Sequence, residues 1–259
     1  METHAMKEGT MTDVLVDRRG GVLRITINRP DRLNALDTAM VEAISDALAD
    51  AEGVRVAVIT GEGRAFSSGA AMAKDTVNPG ILEAIDRLIH TITEAPFPVV
   101  AAVNGIAAGV GCSIVVACDV SVAKTSGYVL QAFVNIGLMP DGAATELLAA
   151  SIGRTRAMRL MLSGEKLAAE QAFEWGLLTQ VVPDDDFDAA VEQTVAGFAA
   201  GPTRAYAKTK EAVNAASLPT LGASLDREAA GQTELAATAD HAEGKAAFVE
   251  KRAASFTGH

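Results

Sequence analysis

Two short apolar runs, Val54 to Thr60 and Val99 to Val103, constrain this chain more than any other feature. Neither alternates between apolar and polar residues as a half-solvated strand does. Each reads as a strand covered on both faces, and such strands belong to sheets with helices packed against them. The segments around them supply those helices. Asp37 stands ahead of Met40, Ala43, Ile44, Ala47 and Leu48, an apolar stripe at helical spacing with an N-cap in front. A second stripe through Ile81, Ile85, Leu88 and Ile92 stops before Pro96 and Pro98. Earlier, Val14 to Val16 and Val22 to Ile27 flank Gly20-Gly21 as a hairpin, and Pro30 ends its second strand. Strand, glycine turn and helix alternate, which predicts an α/β fold.

From Ala143 onward the pattern is helical almost throughout: Leu147 to Ile152, Ala157 to Leu162, Ala168 to Trp175, Phe187 to Phe198, Ala205 to Ala215, and one long stretch from Leu221 to Ala254. No linker, repeat or low-complexity segment interrupts it. The expected organisation is a leader over 1–13, a mixed core over 14–200 and a helical region over 201–259.

Charge and composition exclude several functions. The formal net charge of -11 argues against a general nucleic-acid binder, since neutralising phosphates needs a basic face, and it leaves room for a local basic pocket. Cys112 and Cys118 lie in an apolar run with no CxxC pair and no histidine near them, so buried reduced thiols are expected and a metal site is not. The longest apolar stretch, Pro98 to Val120, is broken by Asn104 and Ser113 and does not read as a membrane span. The polar start METHAMKEGT has neither the apolar segment nor the cleavage pattern of a signal peptide. A cytoplasmic location is expected, with Met11 as a candidate natural start.

Two glycine-rich turns follow buried strands: Phe66-Ser67-Ser68-Gly69-Ala70-Ala71, and Asn104 to Ser113 leading into an apolar helix from Ile114 to Cys118. A turn before a helix leaves N–H groups without intrahelical partners and suits an anion. The same glycines could equally serve close packing or positive φ. The spacing is not GxGxxG, and no GxxxxGK[ST] occurs, so dinucleotide and P-loop chemistry are not expected.

Taken in order, Ile27-Asn28-Arg29-Pro30, Leu33-Asn34-Ala35-Leu36, Ala65 to Ala70, Pro98 to Asp119, Ile136-Gly137-Leu138 and Pro140-Asp141-Gly142 resemble the crotonase (enoyl-CoA hydratase/isomerase) family. Leu162-Ser163-Gly164, Ala168 to Ala172 and Trp175-Gly176-Leu177-Leu178 fit the same family, and the resemblance spans about residues 14 to 254. It implies a spiral of ββα units with a C-terminal helical trimerisation region, assembled as a homotrimer or a dimer of trimers. It also implies an acyl-coenzyme A thioester as substrate, with coenzyme A as part of that substrate and no separate cofactor. Two backbone N–H groups, by motif position those of Ala70 and Val110, then hold the thioester oxygen. Arg32, Leu33, Ser68, Ala70, Met72, Phe248 and Lys251 fall where the family touches coenzyme A, although Arg32 and Lys251 could as well be solvated charges.

This chain departs from the hydratase pattern at two places. Ser113 and Phe133 stand where hydratases carry glutamates. Neither a hydroxyl nor a phenyl ring can activate water near neutral pH. Gly69-Ala70-Ala71 also lacks the aspartate usual after the first turn. Asp141 remains, with two readings: an N-cap for the helix that follows, or the single carboxylate of an isomerase resembling the ring-1,2-epoxyphenylacetyl-CoA isomerases. The expected activity is acyl-CoA isomerisation, with weak hydration or silent acyl-CoA binding as alternatives. His90, four residues after Asp86, reads as a surface histidine, and His4, His241 and His259 lie near ends or in polar runs.

Overall fold

A computed structural model describes residues 12–71 and 79–259. Strands β1 (Val14–Arg19) and β2 (Val22–Ile27) pair antiparallel with Arg19 opposite Val22, so Gly20-Gly21 alone makes the turn. Both glycines take positive φ, 57° and 81°, as a two-residue hairpin of this hand requires. Helix α1 (Thr38–Ala49) follows a 3₁₀ turn at Pro30–Arg32, and the Asp37 carboxylate caps it by accepting the Met40 N–H at 3.0 Å.

Next come β3 (Val56–Gly61), β4 (Ala65–Ser67), α2 (Pro79–Glu94), β5 (Val99–Val103), β6 (Ile106–Ala108), α3 (Val110–Ala117), β7 (Val120–Lys124), β8 (Tyr128–Leu130) and α4 (Ala144–Ser163). Two strands therefore precede each of the helices α1 to α4. Both strands of the first pair and the first strand of each later pair, β3, β5 and β7, join a six-stranded sheet, ordered β1-β2-β3-β5-β7-β10, where β10 is Gln180–Val182. The second strand of each later pair, β4, β6 and β8, joins a four-stranded sheet, ordered β4-β6-β8-β9, where β9 is Lys166–Ala168. Repeating the unit while feeding two sheets produces the spiral.

The apolar runs are explained by what covers each face. Ala57, Ile59, Val99, Ala101 and Val103 point into the main core with α1 and α2. Val56, Val58, Val100 and Ala102 point the other way, onto Phe187, Val191 and Val195 of α6 (Phe187–Ala200). Both faces are dry, so neither needs the alternation of an exposed strand.

Three expectations need correction. The second glycine turn is shorter than the sequence suggests, because α3 begins at Val110, four residues before Ile114. The stretch 221–254 is two helices, α8 (Leu221–Ala236) and α9 (Ala239–Glu250), with Thr238 accepting the His241 N–H at 3.1 Å to start the second. His241 is buried, with Nδ1 2.8 Å from the Ile136 carbonyl. Helices α5 (Ala169–Glu174) and α7 (Thr203–Ser217) complete the order. Within the C-terminal region, α7 is tied to the core by Lys210, whose Nζ reaches Asp119 at 2.8 Å and the Ile92 carbonyl at 2.6 Å. Helix α8 lies on α2 and α4.

Candidate active site

The two glycine turns meet. Gly69, at φ 97°, sits so close to the second turn that a Cβ there would lie 2.9 Å from the Ala108 carbonyl oxygen and 3.5 Å from the Val110 nitrogen. Gly111 is pressed equally hard onto β4, since a Cβ would fall 2.7 Å from the Ser67 carbonyl oxygen and 2.8 Å from its Cβ. The glycines are there for close approach, and the approach places Ala70 beside the first turn of α3.

A parallel bridge joins Leu36 to Ala70, with the Leu36 N–H donating to Gly69 at 2.9 Å and the Ala71 N–H donating to Leu36 at 2.7 Å. That pattern uses the groups flanking Ala70 and turns its own N–H away from Leu36. Val110 opens α3, where the helix supplies no acceptor for its N–H. The expected pair of backbone donors thus lies on adjoining segments.

Ser113 stands one turn into α3, fully buried, and its hydroxyl donates to the Asp141 carbonyl at 2.8 Å. Gly142 packs on it so tightly that a Cβ would lie 2.9 Å from Ser113 Cβ. Phe133 stands over Gly109, 3.5 Å from where a Cβ would be. The two positions at which hydratases carry glutamate are therefore both here, one hydrogen-bonded to backbone and the other a ring.

Asp141 is 6% exposed; Gln232 Nε2 donates to its Oδ2 at 3.2 Å, while Oδ1 is buried without a partner. It does not cap α4. That helix begins after Ala143, at φ 57° with no side-chain cap of its own, and its free Thr145 N–H donates to Glu228 Oε1 at 2.8 Å. The Thr145 hydroxyl bonds the same oxygen. The capping reading of Asp141 is corrected accordingly: Glu228 on α8, 83 residues after Thr145, takes that work. Burial pushes the Asp141 carboxyl well above the ordinary range, and the nearby Glu228 and Asp86 carboxylates push it further. Burial likewise raises Glu228 to about 7 and Asp86, on α2, to about 6.

The predicted coenzyme A contacts divide. Arg32, Leu33 and Ser68 share one patch with Ala70: the Ser68 N–H donates to Leu33 at 2.9 Å, and its hydroxyl donates to the Arg32 carbonyl at 3.4 Å. The Arg32 side chain is exposed, with Asp31 at 4.0 Å. Met72 lies outside the described residues. Phe248, 64% exposed, and Lys251, exposed at φ 55°, stand at the C-terminal end of α9. No hydrogen bond among the described residues ties them to the Arg32 patch. His90 pairs with Glu94 at 3.1 Å on α2. The buried Cys112 thiol is pushed up to about 12 by desolvation, which leaves it protonated and unreactive.

Among the described residues no group of three or more His, Cys, Asp or Glu could hold a metal ion, and no helix is long and apolar enough to cross a membrane. A cavity of about 370 Å³ lies away from the two turns, between α7 and the α3–β7 junction, with Cys118, Tyr206, Lys210 and Leu218 in its walls.

Residues 17–259 match the family model described as enoyl-CoA hydratase/isomerase. The chain is 42% identical to a probable enoyl-CoA hydratase of Rhodobacter capsulatus over 92% of its own length and 95% of that protein. It is 36% identical to the 1,2-epoxyphenylacetyl-CoA isomerase of Escherichia coli, with the same coverage of each. A crystal structure of an enoyl-CoA hydratase from Mycobacterium avium subsp. paratuberculosis superposes with a TM-score of 0.91 at 45% identity, covering 96% of this chain and all of that one. With the ββα spiral and the paired glycine turns, these matches show that the chain belongs to the enoyl-CoA hydratase/isomerase family and has the crotonase fold.

Proposed function

We propose that this chain is an acyl-CoA isomerase that shifts a double bond, or opens a ring epoxide, through a thioester enolate. The observation that carries this reading is the Asp141 carboxyl: buried, released from helix capping, and with one oxygen unpartnered. As carboxylate it removes a proton from C2 of a 3-enoyl thioester. The electron pair moves onto the thioester oxygen, where the Ala70 and Val110 N–H groups receive the charge. The protonated carboxyl then returns the same proton at C4, leaving the 2-enoyl product. Each preorganised donor of this kind is worth about 3–4 kcal/mol in other enzymes.

Hydration needs a group to activate water and another to handle the proton. The Ser113 hydroxyl is committed to the Asp141 carbonyl, and Phe133 offers no proton chemistry. A raised Asp141 pKa suits a shuttle that must both take and return a proton, and turnover rises as pH passes upward through it. The isomerase name of the Escherichia coli relative agrees with this reading, and the hydratase name of the Rhodobacter relative favours the other.

The test is a panel of 3-enoyl-, 2-enoyl- and aromatic-epoxide acyl-CoAs with the parent and Asp141→Asn. Isomerisation by the parent, falling roughly 100-fold or more in Asp141→Asn with acyl-CoA affinity retained, is the expected result. Hydration of 2-enoyl-CoA on the order of 10 per second would overturn it.

A further inference from the structure

The acid expected to do chemistry stands next to a helix N-terminus, where a carboxylate ordinarily takes the free N–H groups. Something must keep it off them, and that something comes from the C-terminal region. We propose that α8 carries a positioning pair for this site: Glu228 occupies the α4 N-terminus in place of Asp141, and Gln232 clamps one Asp141 oxygen so that the other stays free for substrate. This rests on the isomerase reading of Asp141.

The placement of α8 is tightly set. Gly231 packs against the Met139 thioether, and a side chain at this position would force that sulfur to move. The next residue, Gln232, donates to the Met139 carbonyl at 2.6 Å and to Asp141 Oδ2 at 3.2 Å. One turn earlier, Glu228 is 1% exposed and holds the Thr145 N–H and hydroxyl. Ser224, a turn before that, bonds Glu146 of α4.

The contact leaves a distinctive residue of unmet acceptors. Asp141 Oδ1, Glu228 Oε2 and Gln232 Oε1 are all buried without partners. Buried acceptors of this kind call for a proton or a ligand. The titratable groups facing Asp141 are Glu228 from α8 and Asp86 from α2. Asp86 in turn faces His90 and Glu83 of its own helix and Asp226 of α8. No cation offsets Asp141 directly among its described partners, so the α8 carboxyl works to keep it protonated longer.

The experiment uses the full chain with Glu228→Ala, Glu228→Gln and Gln232→Leu. The Asp141 carboxyl is followed by carbon-13 NMR titration, alongside kcat and KM on the acyl-CoA that the parent isomerises. Glu228→Ala vacates the cap, so Asp141 should turn onto the Thr145 N–H, its titration midpoint should drop by at least about one pH unit and kcat should fall. Glu228→Gln keeps an acceptor at the cap, so kcat should recover toward the parent value while the midpoint stays below the parent's because the charge is gone. Gln232→Leu should lower kcat roughly tenfold with KM nearly unchanged. Parent-like midpoints in both Glu228 variants, or a parent-like kcat in Gln232→Leu, overturn the proposal. If Glu228→Ala does not fold, the other two variants decide it. An Asp141→Asn variant as active as the parent removes the isomerase reading, and the NMR midpoints then still report whether α8 positions the carboxyl.

Discussion

Conformational stability should fall as pH rises from 5 to 8, and Glu228→Gln should remove much of that fall. Glu228 is 1% exposed and holds its proton up to about 7 in the fold, against an ordinary value of 4.5. Between those two values the folded chain keeps a proton that the unfolded chain has released, so rising pH favours unfolding. The contribution is complete below about 4.5 and gone above about 7; that interval corresponds to roughly 3 kcal/mol as an upper limit. Asp141, raised in the same direction by burial, adds to the slope. Glu243 acts oppositely: its bond with Arg252 holds it down to about 2, so the support it gives is lost only as the solution becomes more acidic than this window. Urea melts at fixed protein concentration at pH 5, 6, 7 and 8 should show the parent losing about 2–3 kcal/mol across the series. The glutamine variant, which keeps an acceptor for the Thr145 N–H, should lose less than half as much. A flat or rising profile in the parent, or an unchanged slope in the variant, refutes the reasoning.

Gly111→Ala places a Cβ 2.7 Å from a β4 carbonyl oxygen that cannot move freely, so it should cost about 1–3 kcal/mol in denaturant melts. By shifting Val110 it should also lower kcat on the order of 100-fold, and a parent-like kcat in a measurably destabilised variant would remove Val110 from the proposed oxyanion site. Lys210→Met leaves Asp119, among the described residues, with the Val99 N–H as its side-chain partner and should cost about 3 kcal/mol; adding Asp119→Asn should recover part of the loss, and no recovery would mean that the pair is not what anchors α7.

What could be read from the sequence was what is decided locally. Gly20-Gly21 specifies its hairpin because both residues must take positive φ, and Asp37 caps α1 from the next residue along. Strands such as Tyr128–Leu130 and Gln180–Val182 are too short to show a period, and only their neighbours in the sheets define them. The start of α3 was hidden for a different reason. Gly109-Val110-Gly111 reads as a turn because glycine disfavours helix, yet Ser67 tolerates nothing larger beside Gly111. Tertiary contact set the residue, and the helix formed in spite of it.

Asp141 shows where such reading ends. An aspartate ahead of a helix satisfies the local rule for a cap, and nothing within the next turn contradicts it. The contradiction comes from Glu228, 83 residues beyond the Thr145 N–H that it holds. Its signal was present, since Ser224, Leu225, Glu228 and Gln232 recur at helical spacing and all are buried on one face of α8. An acid continuing a buried face must find a donor, and the nearest free donors belong to the α4 N-terminus. A cap rule states that a helix end needs an acceptor; it does not say which residue supplies it. When a distant acid supplies the acceptor, the aspartate beside the helix is left buried with an oxygen to spare, and that surplus, rather than its position in a motif, is the physical ground for assigning it chemistry.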